Sequence, residues 1–201
     1  MREGPPQANE AFNPERPTVV VIGGGFGGLQ AIRSLRHADA NVLLLDKKNF
    51  HLFQPLLYQV ATSVLTTSDI AFPLRRIFAS QKNVTTLLAE VDSIDPNAQT
   101  VSIRDEHIAY DYLVLAPGAQ TNYFGQDHWA KVAPGLKNID DATNVRNRVL
   151  SAFERAEVAD DEQQRAAELT FIVVGGGATG VELAGALQEL AVDSISRDFR
   201  F

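Results

Sequence analysis

Two glycine clusters constrain this chain of 201 residues most strongly, because each lies between a run of β-branched residues and a stretch with helical periodicity. The first is TVVVIGGGFGG, which begins at Thr18, and the second is TFIVVGGGATG, which begins at Thr170. A strand, a glycine turn and a helix, in that order, open a doubly wound α/β fold. Glycines kept for flexibility would be scattered, so this clustering predicts close backbone approach at both places.

The first cluster has the spacing GxGxxG in the right structural context. Gly23 would make the tight turn, Gly25 would let a pyrophosphate lie against bare backbone, and Gly28 would let helix and strand pack closely. Asp46 ends the next predicted strand, NVLLLD, 18 residues after Gly28, where a carboxylate can accept hydrogen bonds from ribose hydroxyls. A glycine-rich turn beside a surface aspartate is the disfavoured alternative. The sequence therefore predicts a dinucleotide site.

The second cluster repeats this spacing with Gly175, Gly177 and Gly180, which predicts a second dinucleotide. Asp198 also follows its last glycine by 18 residues, but no apolar strand precedes it. We interpret Asp198 as a surface residue at the end of a helix. The strand that should follow this helix is missing, so we expect the sequence to stop partway through a domain, as a fragment.

Hydrophobic patterning predicts the remaining elements and the domain organisation. Residues 83–95 and 99–103 are predicted strands of a small antiparallel excursion, 111–116 another strand, 140–159 a helix, and 160–162 a solvated connector. The fold class is α/β, a Rossmann-like three-layer domain followed by the start of a second. We expect a disordered leader over 1–17, a first dinucleotide-binding domain over 18–168 and an incomplete second one over 169–201.

Composition excludes several classes of function. The chain has no cysteine, so it contains no disulfide, thiolate metal site or redox-active thiol pair. A net charge of −7 argues against nucleic-acid binding through bulk charge. The uncharged stretch Asn49–Ser68 is too polar for a membrane span. The four histidines do not cluster, so no metal site is expected, and each is by default a core or surface residue.

Several segments together resemble the N-terminal half of the type II NADH dehydrogenases, the single-chain NADH:quinone oxidoreductases that do not pump protons. They are GGGFGG, LLLDKKNFHLFQPLLYQVAT, LLAEVDSID, YDYLVLAPGAQTNYFG and VVGGGATGVELAGALQEL. The resemblance extends from about Thr18 to Phe201. Glycine turns are shared by all flavoproteins with two dinucleotide folds, so NFHLFQPLLYQVAT, which packs beside the flavin ring in that family, carries most of the specificity.

The resemblance implies a set of site residues. It assigns FAD to Gly23, Gly25, Gly28, Asp46, Gln54, Pro55, Val91, Ala116 and Gly118, and NADH to Gly175, Gly177 and Gly180. Within the FAD set, Val91 would offer its backbone to the adenine, and Gln54 and Pro55 would lie near the flavin ring. Glu182 corresponds to a glutamate near the junction of nicotinamide, flavin and quinone. A carboxylate in the first turn of a helix, stabilised by the macrodipole, is an equally weighted interpretation of Glu182.

The implied activity is hydride transfer from NADH to FAD, followed by transfer of two electrons to a quinone. Partners would be NADH and quinone, with a possible homodimer, and the full-length protein would lie peripherally on the cytoplasmic face of the cell membrane. Two alternatives stay open: an oxidoreductase of the ferredoxin-reductase or apoptosis-inducing-factor type, and a truncated FAD-binding module without turnover. The missing cysteines disfavour disulfide reductases and sulfide:quinone reductases.

Overall fold

The computed structural model describes residues 13–199. Its strands are β1 (Thr18–Ile22), β2 (Asn41–Asp46), β3 (Phe50–Leu52), β4 (Ala71–Pro73), β5 (Val84–Leu88), β6 (Ser93–Asp95), β7 (Thr100–Ile103), β8 (Glu106–Ala109) and β9 (Tyr112–Leu115). Its α-helices are α1 (Phe26–Ser34), α2 (Leu57–Ala61), α3 (Thr67–Ile70), α4 (Leu74–Ile77), α5 (Ile139–Glu157), α6 (Glu162–Glu168) and α7 (Ala178–Glu189). Short 3₁₀ turns span Gln54–Leu56 and Asp127–Lys131, and a π-turn spans Leu190–Ser194.

The chain divides into two compact units. Of the described residues, the first contains 13–52 and 71–118, and the second contains 53–70 and 119–199. Residue 168, where we predicted a domain boundary, lies inside the second unit, in which α5 packs with residues at and beyond the end of α7. The assignment of functional domains stays a prediction.

A parallel sheet forms the centre of the first unit. Its strand order is β5-β2-β1-β9, and β1 pairs with β2 from Thr18 opposite Asn41 to Ile22 opposite Leu45. The middle strands are almost entirely apolar and buried, as expected for a parallel sheet covered on both faces. Strand β2 has the bounds predicted for NVLLLD, and β1 begins at Thr18, as predicted.

Two layers cover this sheet. On one face, Val21 and Leu44 pack against Ile32 of α1 and Leu74 of α4. On the other face, Val20 and Leu43 belong to a second apolar cluster with Val101 and Ile108 of the antiparallel sheet β6-β7-β8. The predicted three-layer α/β fold is therefore confirmed, with the antiparallel excursion itself as the third layer.

The stretch predicted as one strand over residues 83–95 is two strands in different sheets. Its first part, β5, pairs in parallel with β2, whereas β6 pairs antiparallel with β7. The four residues between them carry the chain from one layer to the next. Strand β8 was not predicted.

The end of the predicted leader is ordered. The Asn41 side chain donates to the carbonyls of Asn13 and Arg16 and accepts from the Asn13 N–H, and Arg16 forms an ion pair with Asp39. The expectation of disorder is therefore wrong for residues 13–17. The rest of the leader, residues 1–12, lies outside the described residues.

The second unit is helical. Helix α5 begins with a capping box, in which the Asn138 side chain accepts from the Asp141 N–H and the Asp141 carboxylate accepts from the Asn138 N–H. Its buried face contributes Val149 and Phe153 to a cluster with Leu190, which follows α7.

The solvated connector predicted over 160–162 is exposed and separates α5 from α6, although Glu162 already begins α6. Asp161 is in addition the N-cap of α6, where its side chain accepts from the Gln164 N–H. The strand prediction in this unit is wrong. Thr170–Val174 forms no strand, because no other part of residues 13–199 pairs with it. Ile172 and Val174 are accordingly more than 80% exposed. Between residues 13 and 199, no helix is long and apolar enough to cross a bilayer.

Candidate functional site

The candidate site of the first unit lies where β1, β2 and β9 end at a common edge of the parallel sheet. The chain leaves β1 at Gly23, which has φ +100° and donates its N–H to the Leu45 carbonyl at 2.8 Å. A Cβ at this position would overlap the carbonyl of Ala116, the residue after β9. The backbone conformation and the neighbouring strand thus both require glycine at residue 23.

Gly28 and Gly25 have opposite surroundings. A Cβ on the buried Gly28 would overlap the Gly23 carbonyl oxygen, so glycine lets α1 pack closely against the turn. A Cβ on Gly25 would meet nothing within 4 Å, and Gly25 is exposed. Packing inside the protein therefore explains Gly23 and Gly28 but leaves Gly25 unexplained. A ligand that lies against the Gly25 backbone accounts for the missing side chain.

The start of α1 is suited to an anion. Gly25 is its N-cap, no side chain caps it, and its first turn contains no acidic residue. Within residues 13–199, no protein group accepts a hydrogen bond from the Gly25 N–H. Free N–H groups and the positive end of the helix dipole bind phosphate well. These residues fit the pyrophosphate of a dinucleotide.

Asp46 has a role in the protein that the sequence did not indicate. Its Oδ2 accepts from the Gly24 N–H at 2.5 Å, and its Oδ1 accepts from the Lys48 N–H at 2.5 Å. A carboxylate has about four acceptor positions, so both oxygens keep capacity for ribose hydroxyls. Asp46 therefore anchors the glycine turn as well as being a candidate ribose ligand.

The other predicted FAD residues of the first unit lie along the same sheet edge or in the connection after β5. Ala116 donates its N–H to Ile22, and Gly118 has φ +79° and is exposed. The Val91 side chain packs against the apolar cluster that the antiparallel sheet shares with the parallel sheet. In the described part of the chain, the backbone groups of Val91 form no hydrogen bond with another backbone group. These positions are compatible with their predicted contacts, which stay predictions.

Gln54 and Pro55 belong to the second unit, where they begin a short 3₁₀ turn. The Gln54 amide donates to the Lys137 carbonyl at 3.0 Å. Their predicted position near a flavin ring stays a prediction.

His51, by default predicted to be a core or surface residue, is a core residue that also contacts the glycine turn. Its ring is buried, and Nδ1 lies 2.9 Å from the Gly24 carbonyl oxygen. The ring also makes an edge contact with Phe26, at a centroid distance of 4.9 Å. The signal available in the sequence was its position in NFHLFQPLLYQVAT, the segment that carries the family resemblance.

The turn at the start of α7 in the second unit repeats the first turn in detail. Gly175 has φ +105°, and a Cβ at Gly180 would overlap the Gly175 carbonyl oxygen. Gly177 is the N-cap of α7 and, like Gly25, would have open space around an added Cβ. The second predicted dinucleotide turn therefore has the same backbone design.

Glu182 is the fifth residue of α7 and is exposed, and the first turn of that helix contains no acidic residue. The alternative interpretation as a first-turn carboxylate thus places Glu182 incorrectly, and its predicted role near the nicotinamide stays a prediction. Asp198 lies in an exposed turn beyond the helix, consistent with its interpretation as a surface residue.

Comparisons with known proteins agree with this geometry. The family model described as pyridine nucleotide-disulphide oxidoreductase matches residues 17–196. The type II NADH:quinone oxidoreductase NdhA of Mycobacterium tuberculosis is 51% identical over 189 residues, which are 92% of this chain and 40% of that protein. The type II NADH:quinone oxidoreductase Ndh of the same organism is 48% identical over 200 residues, which are 98% and 43%.

The fold is also similar to that of a solved structure, NDH2 of Plasmodium falciparum in complex with NADH. The TM-score is 0.83 at 23% identity, over 92% of this chain and 39% of that one. The predicted resemblance is confirmed. The chain spans about two fifths of the length of the curated relatives it matches.

Proposed function

Because the chain belongs to the pyridine nucleotide-disulphide oxidoreductase family, we propose that it provides the FAD site and part of the NADH site of an NADH:quinone oxidoreductase. One observation carries the proposal: at Gly25 the backbone is bare and its N–H has no acceptor in the described residues, while packing requires glycine at Gly23 and Gly28. An anionic group against the turn explains Gly25, the one of these three glycines that packing does not explain.

Each predicted FAD residue then has a defined task. The N–H groups at the start of α1 bind the pyrophosphate, and Asp46 accepts from the ribose hydroxyls while it holds Gly24. Val91 offers backbone groups to the adenine, and Ala116, Gly118, Gln54 and Pro55 contribute nearer the flavin. When bound, FAD supplies acceptance of a hydride and release of two electrons. The protein contributes orientation and exclusion of water, so no acid–base triad is required.

The second glycine turn is assigned to NADH. Gly175 repeats the positive φ of Gly23, Gly180 repeats the close packing of Gly28, and the space at Gly177 is open as it is at Gly25. These similarities support binding of a second pyrophosphate. We include Glu182 as the residue that approaches the nicotinamide. In this proposal, residues 18–168 carry the FAD function and residues 169–201 begin the NADH function.

The similarity to the two mycobacterial enzymes, named NADH:quinone oxidoreductases, supports NADH and quinone as substrates and favours this activity over the ferredoxin-reductase type. Association with the cytoplasmic face of the cell membrane and formation of a homodimer belong to the same proposal. Both rest on the family resemblance.

The test is the visible absorption spectrum of the 201-residue chain after incubation with FAD and removal of free flavin, followed by anaerobic addition of NADH. Flavin that is retained and then bleached by NADH supports both sites. Flavin that is retained but stays oxidised supports the FAD site and means that NADH oxidation requires a longer chain. If no flavin is retained, the proposed function is wrong for this chain.

A further inference from the structure

We infer that His51 is a positioning residue for the FAD site, which it serves by directing the Gly25 N–H toward the bound pyrophosphate. The inference rests on the proposed function and adds a residue to it. The observations that carry it are the contacts made by the Gly24 peptide groups.

Gly24 is buried in the turn that follows β1, and side chains satisfy both of its backbone groups. Its N–H donates to Asp46 Oδ2 at 2.5 Å, and its carbonyl oxygen lies 2.9 Å from His51 Nδ1. A carbonyl oxygen has no proton to donate, so Nδ1 carries the hydrogen in this contact. The structure therefore assigns a proton to Nδ1 of His51.

The planarity of the peptide bond connects this contact to the ligand. In a trans peptide, the carbonyl of Gly24 and the N–H of Gly25 lie in one plane and point in opposite directions. A carbonyl held toward His51 therefore directs the Gly25 N–H away from the protein interior. That direction is the exposed side of the turn, where the N–H has no acceptor within the described residues and an added Cβ would meet nothing.

The second glycine turn indicates that this contact is not required to form the turn. Gly175 has φ +105°, close to the +100° of Gly23. Yet within residues 13–199 no side chain forms a hydrogen bond with Gly176, the counterpart of Gly24. Gly176 is exposed, whereas Gly24 is buried. The contacts from His51 and Asp46 thus orient a turn whose conformation glycine already permits. Preorganised N–H groups bind an anion at a smaller entropic cost.

Three substitutions separate donation by Nδ1 from packing of the ring. His51→Asn keeps a donor at the Nδ1 position, His51→Gln moves the donor to the Nε2 position, and His51→Phe keeps a ring against Phe26 without a donor. We expect FAD to bind His51→Phe and His51→Gln about tenfold more weakly than wild type, and His51→Asn within about threefold. Thermal unfolding without FAD, measured for all four proteins, separates this pattern from a general loss of stability.

A second measurement does not depend on flavin. Long-range ¹H–¹⁵N NMR correlation on the wild-type chain, with His51 assigned by its disappearance in His51→Asn, reports which ring nitrogen carries the proton. We expect the proton on Nδ1. We also expect exchange of the Gly24 N–H to be about tenfold faster in His51→Phe than in His51→Asn.

The outcomes are distinct. A ring protonated only on Nε2, or equal FAD affinity in wild type and all variants, overturns the role of His51 and leaves the proposed function intact. If wild type binds no FAD, the proposed function fails. In that case the tautomer and the Gly24 exchange rates still decide whether His51 holds the turn: Nδ1–H with faster exchange in His51→Phe supports it, and equal rates overturn it.

Discussion

At the scale of single residues, the candidate FAD site depends on a difference between neighbouring glycines. Gly28 is required by packing inside the protein, whereas Gly25 has open space around its missing side chain. Stability and ligand binding can therefore be separated within one turn. A motif that looks uniform in the sequence consists of positions with different tasks.

Gly28→Ala should destabilise the chain by about 1–3 kcal/mol or more, because the new methyl group overlaps the Gly23 carbonyl. Urea unfolding of the FAD-free chain measures this effect. Gly25→Ala is the matched control and should cost less than about 1 kcal/mol, since its φ is −72° and the site is open. Equal stability of the two variants would contradict the packing account.

Asp46→Asn should weaken FAD binding about tenfold or more. The variant keeps one oxygen to accept from Gly24 but loses the charge and the second acceptor, and hydrogen bonds to charged groups contribute roughly 1.5–3 kcal/mol. Isothermal titration with FAD measures the loss, and unfolding without FAD controls for the structural role of Asp46. An FAD affinity within twofold of wild type would remove Asp46 from the ribose site.

The sequence was sufficient to predict the glycine turns and Asp46, because their function depends on local spacing between a strand and a helix. It was not sufficient for His51. The contact between His51 and Gly24 spans 27 residues and depends on the pairing of β3 with β4, which no local pattern indicates. For the same reason, the sequence did not indicate the hydrogen bond that the Gly24 N–H donates to Asp46.

At the scale of elements, the strand predictions were correct where a second segment was present to pair with the predicted strand. The runs over 18–22 and 41–46 pair with each other and form strands, whereas Thr170–Val174 has equal strand propensity but no partner in residues 13–199. Strand formation requires hydrogen bonds from a second segment, which propensity alone does not supply. The division of residues 83–95 between two sheets was unpredictable for the same reason.

Helix α5 offers a test at this scale. Asn138→Ala removes the acceptor for the Asp141 N–H and should lower stability by about 1 kcal/mol. The urea midpoint measured by circular dichroism reports it. Glu154→Ala, an exposed change in the same helix, is the control and should have little effect. If both variants unfold at the wild-type midpoint, the capping box does not stabilise α5.

Helix α3 is held by a charged contact that should depend on pH. The Thr66 hydroxyl and then the Thr66 N–H donate to the Asp69 carboxylate, at 2.8 and 2.7 Å, and lower the pKa of Asp69. Because the pKa is lowered in the folded state, the contact stabilises the fold at neutral pH and is lost as the pH falls through that pKa.

An NMR titration of the Asp69 carboxyl carbon measures this effect. Thr66→Ala should move the Asp69 midpoint back up toward its ordinary value, and Thr67→Ala should leave it unchanged. A midpoint that is the same in all three proteins would contradict the assigned cause.

At the scale of the whole molecule, each compact unit carries one glycine turn at the start of a helix. The two turns share the positive φ of the first glycine and the close packing of the last one. Gly25 and Gly177 are the N-caps, both with negative φ and with open space around the missing Cβ. Alanine at either position is compatible with the fold. The two substitutions differ only in which turn receives the methyl group. Each substitution is thus the control for the other.

The most direct test of the central claim is the FAD dissociation constant of the wild-type chain, Gly25→Ala and Gly177→Ala, measured under one set of conditions. The account predicts that Gly25→Ala weakens FAD binding by about tenfold or more, because the methyl group occupies the pyrophosphate position, while Gly177→Ala binds FAD as wild type does. Equal affinity in all three proteins, or a loss confined to Gly177→Ala, would contradict the assignment of FAD to the first turn.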